Sequence, residues 1–132
     1  MITLFDTNVL LDIFLPDPKW GERSLFALEM ALRDGALIIN EIVYAELVPQ
    51  FSTKELLDTT LTTLGITIAP LGKETAYKAG MAWKEYRKAG GSRDRVLADF
   101  LIGAHALVHA QQLLTRDRGF YKKYFKSLKV IY

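Results

Sequence analysis

Apolar residues in this chain fall into short blocks, separated by longer stretches where they recur every third or fourth position. That alternation predicts strands interleaved with helices. Ile2-Thr3-Leu4-Phe5 reads as a buried strand ending at Asp6. Thr7 to Phe14 reads as a short helix, broken by Pro16-Asp17-Pro18. Glu22 to Arg33 is helical in pattern, with Leu25, Leu28, Met30 and Leu32 apolar, and stops near Gly35. Leu37-Ile38-Ile39 is a second strand, and Asn40 caps a helix through Val43 and Glu46 to Leu47, ending before Pro49. Thr53 to Leu64 is a further helix, and Gly65 leads into a third strand, Ile66-Thr67-Ile68. Lys73 to Lys88 is a longer helix closed by Gly90-Gly91. Ser92 is then expected to cap a helix through Val96–Val108, with Asp94 in its first turn. Leu113-Leu114-Thr115 is a fourth strand and Lys129-Val130-Ile131 a fifth.

Strands apolar on both faces, alternating with helices, predict an α/β fold. The expected form is a three-layer α/β/α sandwich on a four- to five-stranded, mainly parallel sheet, with residues 1–132 as a single domain. Ligand crevices in such sheets lie beyond the carboxyl ends of the strands. Asp6 follows the first strand, Asp117 follows the fourth, and Asp99 starts the helix that runs antiparallel to the fourth. All three are expected at that edge.

With 50% hydrophobic and 24% charged residues, disorder is excluded. No apolar run approaches the ~18 residues of a membrane span, and there is no cysteine, so the default is a cytoplasmic chain without disulfides or thiolate metal sites. The net charge of +2 hides an asymmetry: residues 1–83 carry −5 and residues 84–132 carry +7. The cations gather at Lys84, Arg87, Lys88, Arg93, Arg95 and again from Arg116 and Arg118 to Lys129. Such clustering suits a nucleic-acid-facing surface or an acidic partner, and equally a solvated helix face with a basic tail.

Asp99 sits inside Val96–Val108, a segment apolar almost all round. A carboxylate there loses hydration that apolar neighbours cannot replace. Glu46 projects from an apolar stripe with Ile42 and Val43. Singly, Asp6 and Asp117 read as turn or helix caps and Asp99 as half of a buried salt bridge. Together with Glu46 they place about four negative charges at one edge, tolerable if a cation intervenes. An oxygen-only donor set suits Mg²⁺ or Mn²⁺ rather than zinc. Combined with the basic half of the chain, this favours a metal-dependent nuclease, with Arg116, Arg118 and Arg95 steering the phosphate backbone. His105 and His109 have zinc-pair spacing but lie ~240° around the helix from Asp99 and are expected to be structural or partly exposed. Trp20, Trp83 and the tyrosines are expected in the core. Leu10, Ile13, Phe14 and Trp20 are expected to pack the first helices, with a groove for a partner segment as the alternative. An aspartyl phosphatase would need a second Asp where the chain has Asn8.

Four segments, in order, carry a family likeness: Asp6-Thr7-Asn8-Val9-Leu10-Leu11-Asp12, Tyr44-Ala45-Glu46-Leu47, Ala98-Asp99-Phe100-Leu101-Ile102-Gly103-Ala104-His105-Ala106, and Leu114-Thr115-Arg116-Asp117-Arg118-Gly119-Phe120. The chain resembles the PIN-domain ribonucleases, specifically the VapC-type toxins of toxin–antitoxin pairs. The resemblance implies a Mg²⁺- or Mn²⁺-dependent endoribonuclease using metal-activated water, a homodimer, and a small antitoxin partner. It makes Asp6 and Asp99 the metal ligands, lets Glu46 and Asp117 complete the acidic pocket, and gives Asn8 and Thr115 the task of orienting these carboxylates. Two departures, Asn40-Glu41 in place of a Ser or Thr cap and Gly119 in place of an acid, touch none of the four acids. The alternatives are a PIN nuclease of RNA processing without an antitoxin, and a non-catalytic binding module.

Overall fold

The computed structural model describes residues 1–92 and 95–132. In chain order the elements are β1 (Thr3–Phe5), α1 (Thr7–Phe14), α2 (Gly21–Asp34), β2 (Leu37–Ile39), α3 (Glu41–Leu47), α4 (Lys54–Thr63), β3 (Ile66–Ile68), α5 (Gly72–Lys88), α6 (Leu97–His109), β4 (Gln112–Leu114), α7 (Arg118–Tyr124) and β5 (Val130–Ile131). The sheet order is β3-β2-β1-β4-β5 and every pairing is parallel. Right-handed crossovers in a sheet that changes direction at β1 place helices on both faces, giving the expected three layers.

Local chemistry explains most of these boundaries. The side chain of Asn40 accepts from the Val43 N–H at 3.0 Å, so α3 is capped as expected, and that of Thr53 accepts from the Leu56 N–H at 3.1 Å, which makes it the cap of α4 rather than its first residue. Each cap contributes about 1 kcal/mol. Pro49 does not end the chain's winding at Leu47 but tightens it into a 3-10 turn over Val48–Gln50. Gly35 ends α2 at φ 149°, and a Cβ there would stand 2.3 Å from the Met1 carbonyl oxygen, so only glycine lets the start of the chain pass. β1 is wholly buried, and its one polar side chain, Thr3, accepts from Gln112 Nε2 at 2.8 Å. Leu10 is fully buried, Phe14 packs edge-on to Phe51 at 5.4 Å, and Trp20 meets Tyr132 at 6.1 Å, so these residues pack the first helices.

Two expectations are corrected. α6 begins at Leu97, with Val96 in the cap position, rather than after a Ser92 cap. The Tyr86 hydroxyl donates to the Ser92 carbonyl instead, and Asp99 meets the Val96 N–H. Arg93 and Asp94 lie outside the described residues. The first turn of α6 is also open to solvent, with Val96 57% and Leu97 38% exposed, and full burial starts at Phe100. The second correction is α7, a helix that the pattern did not announce. Its apolar face, Phe120 with Tyr121, joins Phe100, Tyr86, Tyr124 and Phe125 in a cluster of tilted and edge-on rings 4.9–6.3 Å apart. Gly103 admits Phe125 against α6, since a Cβ there would come within 2.4 Å of the ring. Among the described residues, no helix is long and apolar enough to cross a membrane.

Candidate active site

β1 delivers Asp6 to the carboxyl edge of the sheet, where β1 and β4 lie side by side with Phe5 opposite Leu114. Its carboxylate caps α1 by accepting from the Thr7 N–H at 2.8 Å. It also accepts from the Thr115 hydroxyl at 2.8 Å and, more distantly, from Asn8 Nδ2 at 3.4 Å. Despite these donors, burial, with a smaller contribution from the nearby Asp99 carboxylate, pushes the Asp6 pKa up to about 6. Asp6 is therefore both a helix cap and an acid with unrelieved charge.

Asp99 is half-buried rather than enclosed. Burial raises its pKa, the Val96 N–H and Arg95 lower it, and Asp117 raises it. Asp117 occupies the cap position of α7, yet its side chain caps nothing. It forms an ion pair with Arg95 instead, and the Arg95 guanidinium lies over the Phe120 ring at 4.3 Å. Arg95, expected to steer a phosphate backbone, thus sits within the acidic crevice as its internal cation. Glu46 reaches the site through a neighbour, accepting from the Thr7 hydroxyl at 2.6 Å.

The supporting residues form one web. Thr115 Oγ1 donates to Asp6 and accepts the Asp117 N–H at 2.9 Å, so a single hydroxyl fixes one carboxylate and the loop of another. Asn8 Oδ1 accepts the Arg116 N–H at 3.3 Å, tying α1 to the same loop. Arg116, expected to face RNA, is bound in two-pronged fashion to Asp12, with Nε at 2.8 Å and Nη2 at 2.9 Å, and it stacks over Trp20 at 5.0 Å. Asp12 is 4% exposed, so this bridge anchors the Asp117 loop rather than reaching for substrate. Arg118 is exposed. His105 is buried and accepts from Asn40 Nδ2 at 3.1 Å, joining α6 to the cap of α3, while His109 is exposed. This fits the structural role expected for the pair.

Sequence reasoning missed two residues. Thr7 connects Asp6 to Glu46, and a hydroxyl directly after the strand-end acid was the available signal. Tyr121 is 1% exposed, and burial together with the charges of Asp6, Asp99 and Asp117 opposes ionisation of its phenol. Its hydroxyl completes no hydrogen bond of good geometry. No local pattern pointed to it, because α7 itself was not legible.

A cation entering this crevice would meet oxygen donors only. Among the described residues, no three His, Asp or Glu side chains cluster tightly enough to hold a metal among themselves. Asp99 lies close enough to Asp6 to raise its pKa, and such a pair of carboxylates could serve Mg²⁺, an ion that keeps several waters and takes one or two carboxylates plus substrate phosphate. A donor set of oxygens alone, with the charge that burial leaves unrelieved at Asp6, fits such an ion.

Comparison with solved structures agrees on architecture. A chain in the structure of VapBC2 from Rickettsia felis, bound to a DNA fragment from their promoter, superposes with a TM-score of 0.75 at 23% identity, covering 99% of this chain and 98% of that one. VapBC-1 from nontypeable Haemophilus influenzae gives 0.72 at 20%, covering 99% and 97%. FitAcB from Neisseria gonorrhoeae gives 0.70 at 23%, covering 100% and 97%. No curated protein sequence matches the chain significantly. The PIN domain family model matches residues 3–126, which hold the first four strands of the sheet and all four acids, and the chain therefore belongs to the PIN domain family.

Proposed function

We propose that this protein is a Mg²⁺- or Mn²⁺-dependent endoribonuclease, the toxin of a VapBC-type pair, acting as a homodimer and neutralised by a small antitoxin. The observation that carries the catalytic reading is Asp6, a buried carboxylate with its pKa near 6 and Asp99 beside it. Carboxylates held in that state by the fold favour a divalent cation. Asp6 and Asp99 hold the ion, while Glu46 and Asp117 extend the acidic wall. When bound, such an ion would offset charge on the scissile phosphate and lower the pKa of a water, the chemistry that in-line hydrolysis needs. Thr115 and Asn8 keep Asp6 aimed at the crevice, and Thr7 keeps Glu46 turned toward it. Arg95 and Arg118 meet the incoming backbone, with Arg95 exchanging Asp117 for phosphate.

The antitoxin reading is supported by the likeness to chains from VapBC and FitAB complexes. It is also supported by the outer face of α2, where Phe26 is 62% exposed and Leu25 and Met30 each 41%. Apolar surface of that kind is what a protein partner covers. A short reading frame abutting this one favours the toxin over an RNA-processing nuclease without an antitoxin. A non-catalytic binding module would gain nothing from the charge held at Asp6.

The test is incubation of the purified protein with total cellular RNA and defined tRNAs, in Mg²⁺, Mn²⁺ or chelator, followed by mapping of the cleaved ends. Cleavage is expected with metal and lost in Asp6→Asn and Asp99→Asn. Undiminished cleavage by either folded variant refutes the assignment.

A further inference from the structure

The acid crevice accounts for a scissile phosphate but not for the strand on either side of it. Beside Arg95 three shallow surface grooves run end to end. The nearest, about 500 Å³, is lined by Arg95, Gly119, Phe120 and Lys123. The next, about 320 Å³, shares Tyr86, Ser92 and Arg95 with it and reaches Trp83 and Arg87. The third, about 470 Å³, lies between Trp83, Lys84, Arg87 and Lys88.

Cations and rings alternate along this path. Arg95 lies over Phe120, Lys123 stands 5.4 Å from the Tyr124 ring, and Arg87 stands 5.1 Å from the Trp83 ring. Trp83 is half-buried, so one part of the indole packs on the core and the rest lines two grooves. This departs from the expectation of a purely core residue. Among the described residues, no carboxylate forms an ion pair with Lys84, Arg87, Lys88 or Lys123.

We propose that these grooves form a track for single-stranded RNA, whose phosphates are met by Lys84, Arg87, Lys88 and Lys123 and one of whose bases lies on Trp83. An acidic protein segment would satisfy the cations, but its carboxylates offer the rings no aromatic face to stack on. A single strand supplies phosphate and base alternately, and only unpaired bases can lie flat on an aromatic face. A duplex keeps its bases stacked inside and would leave the rings unused. The track deepens the nuclease reading and rests on it: it sets how far from the cut the enzyme grips its substrate.

The test uses the full chain in chelator, with fluorescein-labelled single-stranded oligoribonucleotides of about 4 and about 16 nucleotides, the range of single-strand site sizes. Fluorescence anisotropy is read against salt for the wild type and for the exposed-residue variant Lys84→Gln/Arg87→Gln/Lys88→Gln, with circular dichroism confirming the fold. The longer RNA is expected to bind more tightly than the shorter. The variant should lose about tenfold or more of that affinity, and its log–log salt slope should fall by about 2, at ~0.7 per cation. Tryptophan fluorescence should be quenched by the longer RNA in the wild type and much less in Trp83→Phe, which keeps an aromatic ring. Unchanged affinity and slope in the variant overturn the track, as does equal binding of a polyglutamate peptide. Cleavage assays with Mg²⁺ separate the two readings. Variant-sensitive binding without cleavage supports the track and defeats the nuclease. Cleavage of long RNA that is indifferent to the three substitutions supports the nuclease and overturns the track.

Discussion

Replacing Asp6 by Asn is expected to make the metal-free protein more stable, although it weakens the hydrogen bonds that the carboxylate accepts from Thr7 and Thr115. Asp6 is 7% exposed, and its pKa stands at about 6 instead of 3.8. Holding that side chain ionised in the native state at pH 8 therefore costs about 3 kcal/mol relative to the unfolded chain. Asn has nearly the same shape and no charge. Its oxygen still accepts from the Thr7 N–H, and its amide donates to the Thr115 hydroxyl in place of accepting from it. Weaker neutral hydrogen bonds return about 1 kcal/mol of the gain, leaving about 2 kcal/mol. For a chain of 132 residues this raises Tm by about 7 °C. The sign with pH follows from a raised native pKa. The native state binds the extra proton, so the carboxylate's penalty is complete above about pH 6 and disappears as the pH falls toward 4. Urea and thermal melts in chelator at pH 8 and pH 4 check this. The gap should be wide at pH 8 and closed at pH 4, and added Mg²⁺ should raise the wild type's Tm but not the variant's. An Asn variant no more stable than the wild type at pH 8, or a gap that ignores pH, refutes the reasoning.

Two further outcomes test the scaffold. Arg116→Met leaves the Asp12 carboxylate, 4% exposed, with only the Ser24 hydroxyl and is expected to cost about 3 kcal/mol; a coupling below about 0.5 kcal/mol in a double-mutant cycle with Asp12→Asn would remove the anchoring role. Gly103→Ala sets a Cβ 2.4 Å from the buried Phe125 ring and should destabilise by about 1–3 kcal/mol, whereas Gly80→Ala in α5, whose Cβ meets nothing, should stabilise by about 0.5–1 kcal/mol; equal effects in denaturant melts would refute the packing argument.

Elements whose cause is local were legible in the sequence. The strands are short apolar runs, and α3 and α4 start where Asn40 and Thr53 supply cap oxygens. α7 was hidden because seven residues with Lys122 and Lys123 among them hold too little of a helical period. Its helix is fixed where Phe120 and Tyr124 pack on the rings of Phe100 and Tyr86, which are distant in sequence. The acids stood out because charge in apolar surroundings needs an explanation. Partner choice did not, since nothing along the chain tells that Arg116 selects Asp12 while Arg95 selects Asp117. Thr7 and Tyr121 were missed for a related reason: a neutral hydroxyl acquires its role only from what the fold sets beside it.

Asp6 feels the charge of Asp99, and Asp99 that of Asp117, and these acids cannot relax by moving apart, because each of the four is fixed by a different part of the fold. Asp6 and Asp117 follow adjacent strands whose register is set by the β1–β4 pairing. Asp99 rides on α6, which the aromatic cluster and the close contact at Gly103 hold in place. Glu46 rides on α3, whose cap is bonded to His105 of α6. With separation closed off, repulsion is relieved only by a proton, by a cation, or by an arginine. Arg95 takes Asp117, and the Asp6 pKa nevertheless remains near 6, so that arginine does not neutralise the whole crevice. The charge left over belongs to Asp6 and Asp99, the pair proposed to hold the ion. In the proposed enzyme, a rigid fold would turn this carboxylate repulsion into affinity for a divalent cation.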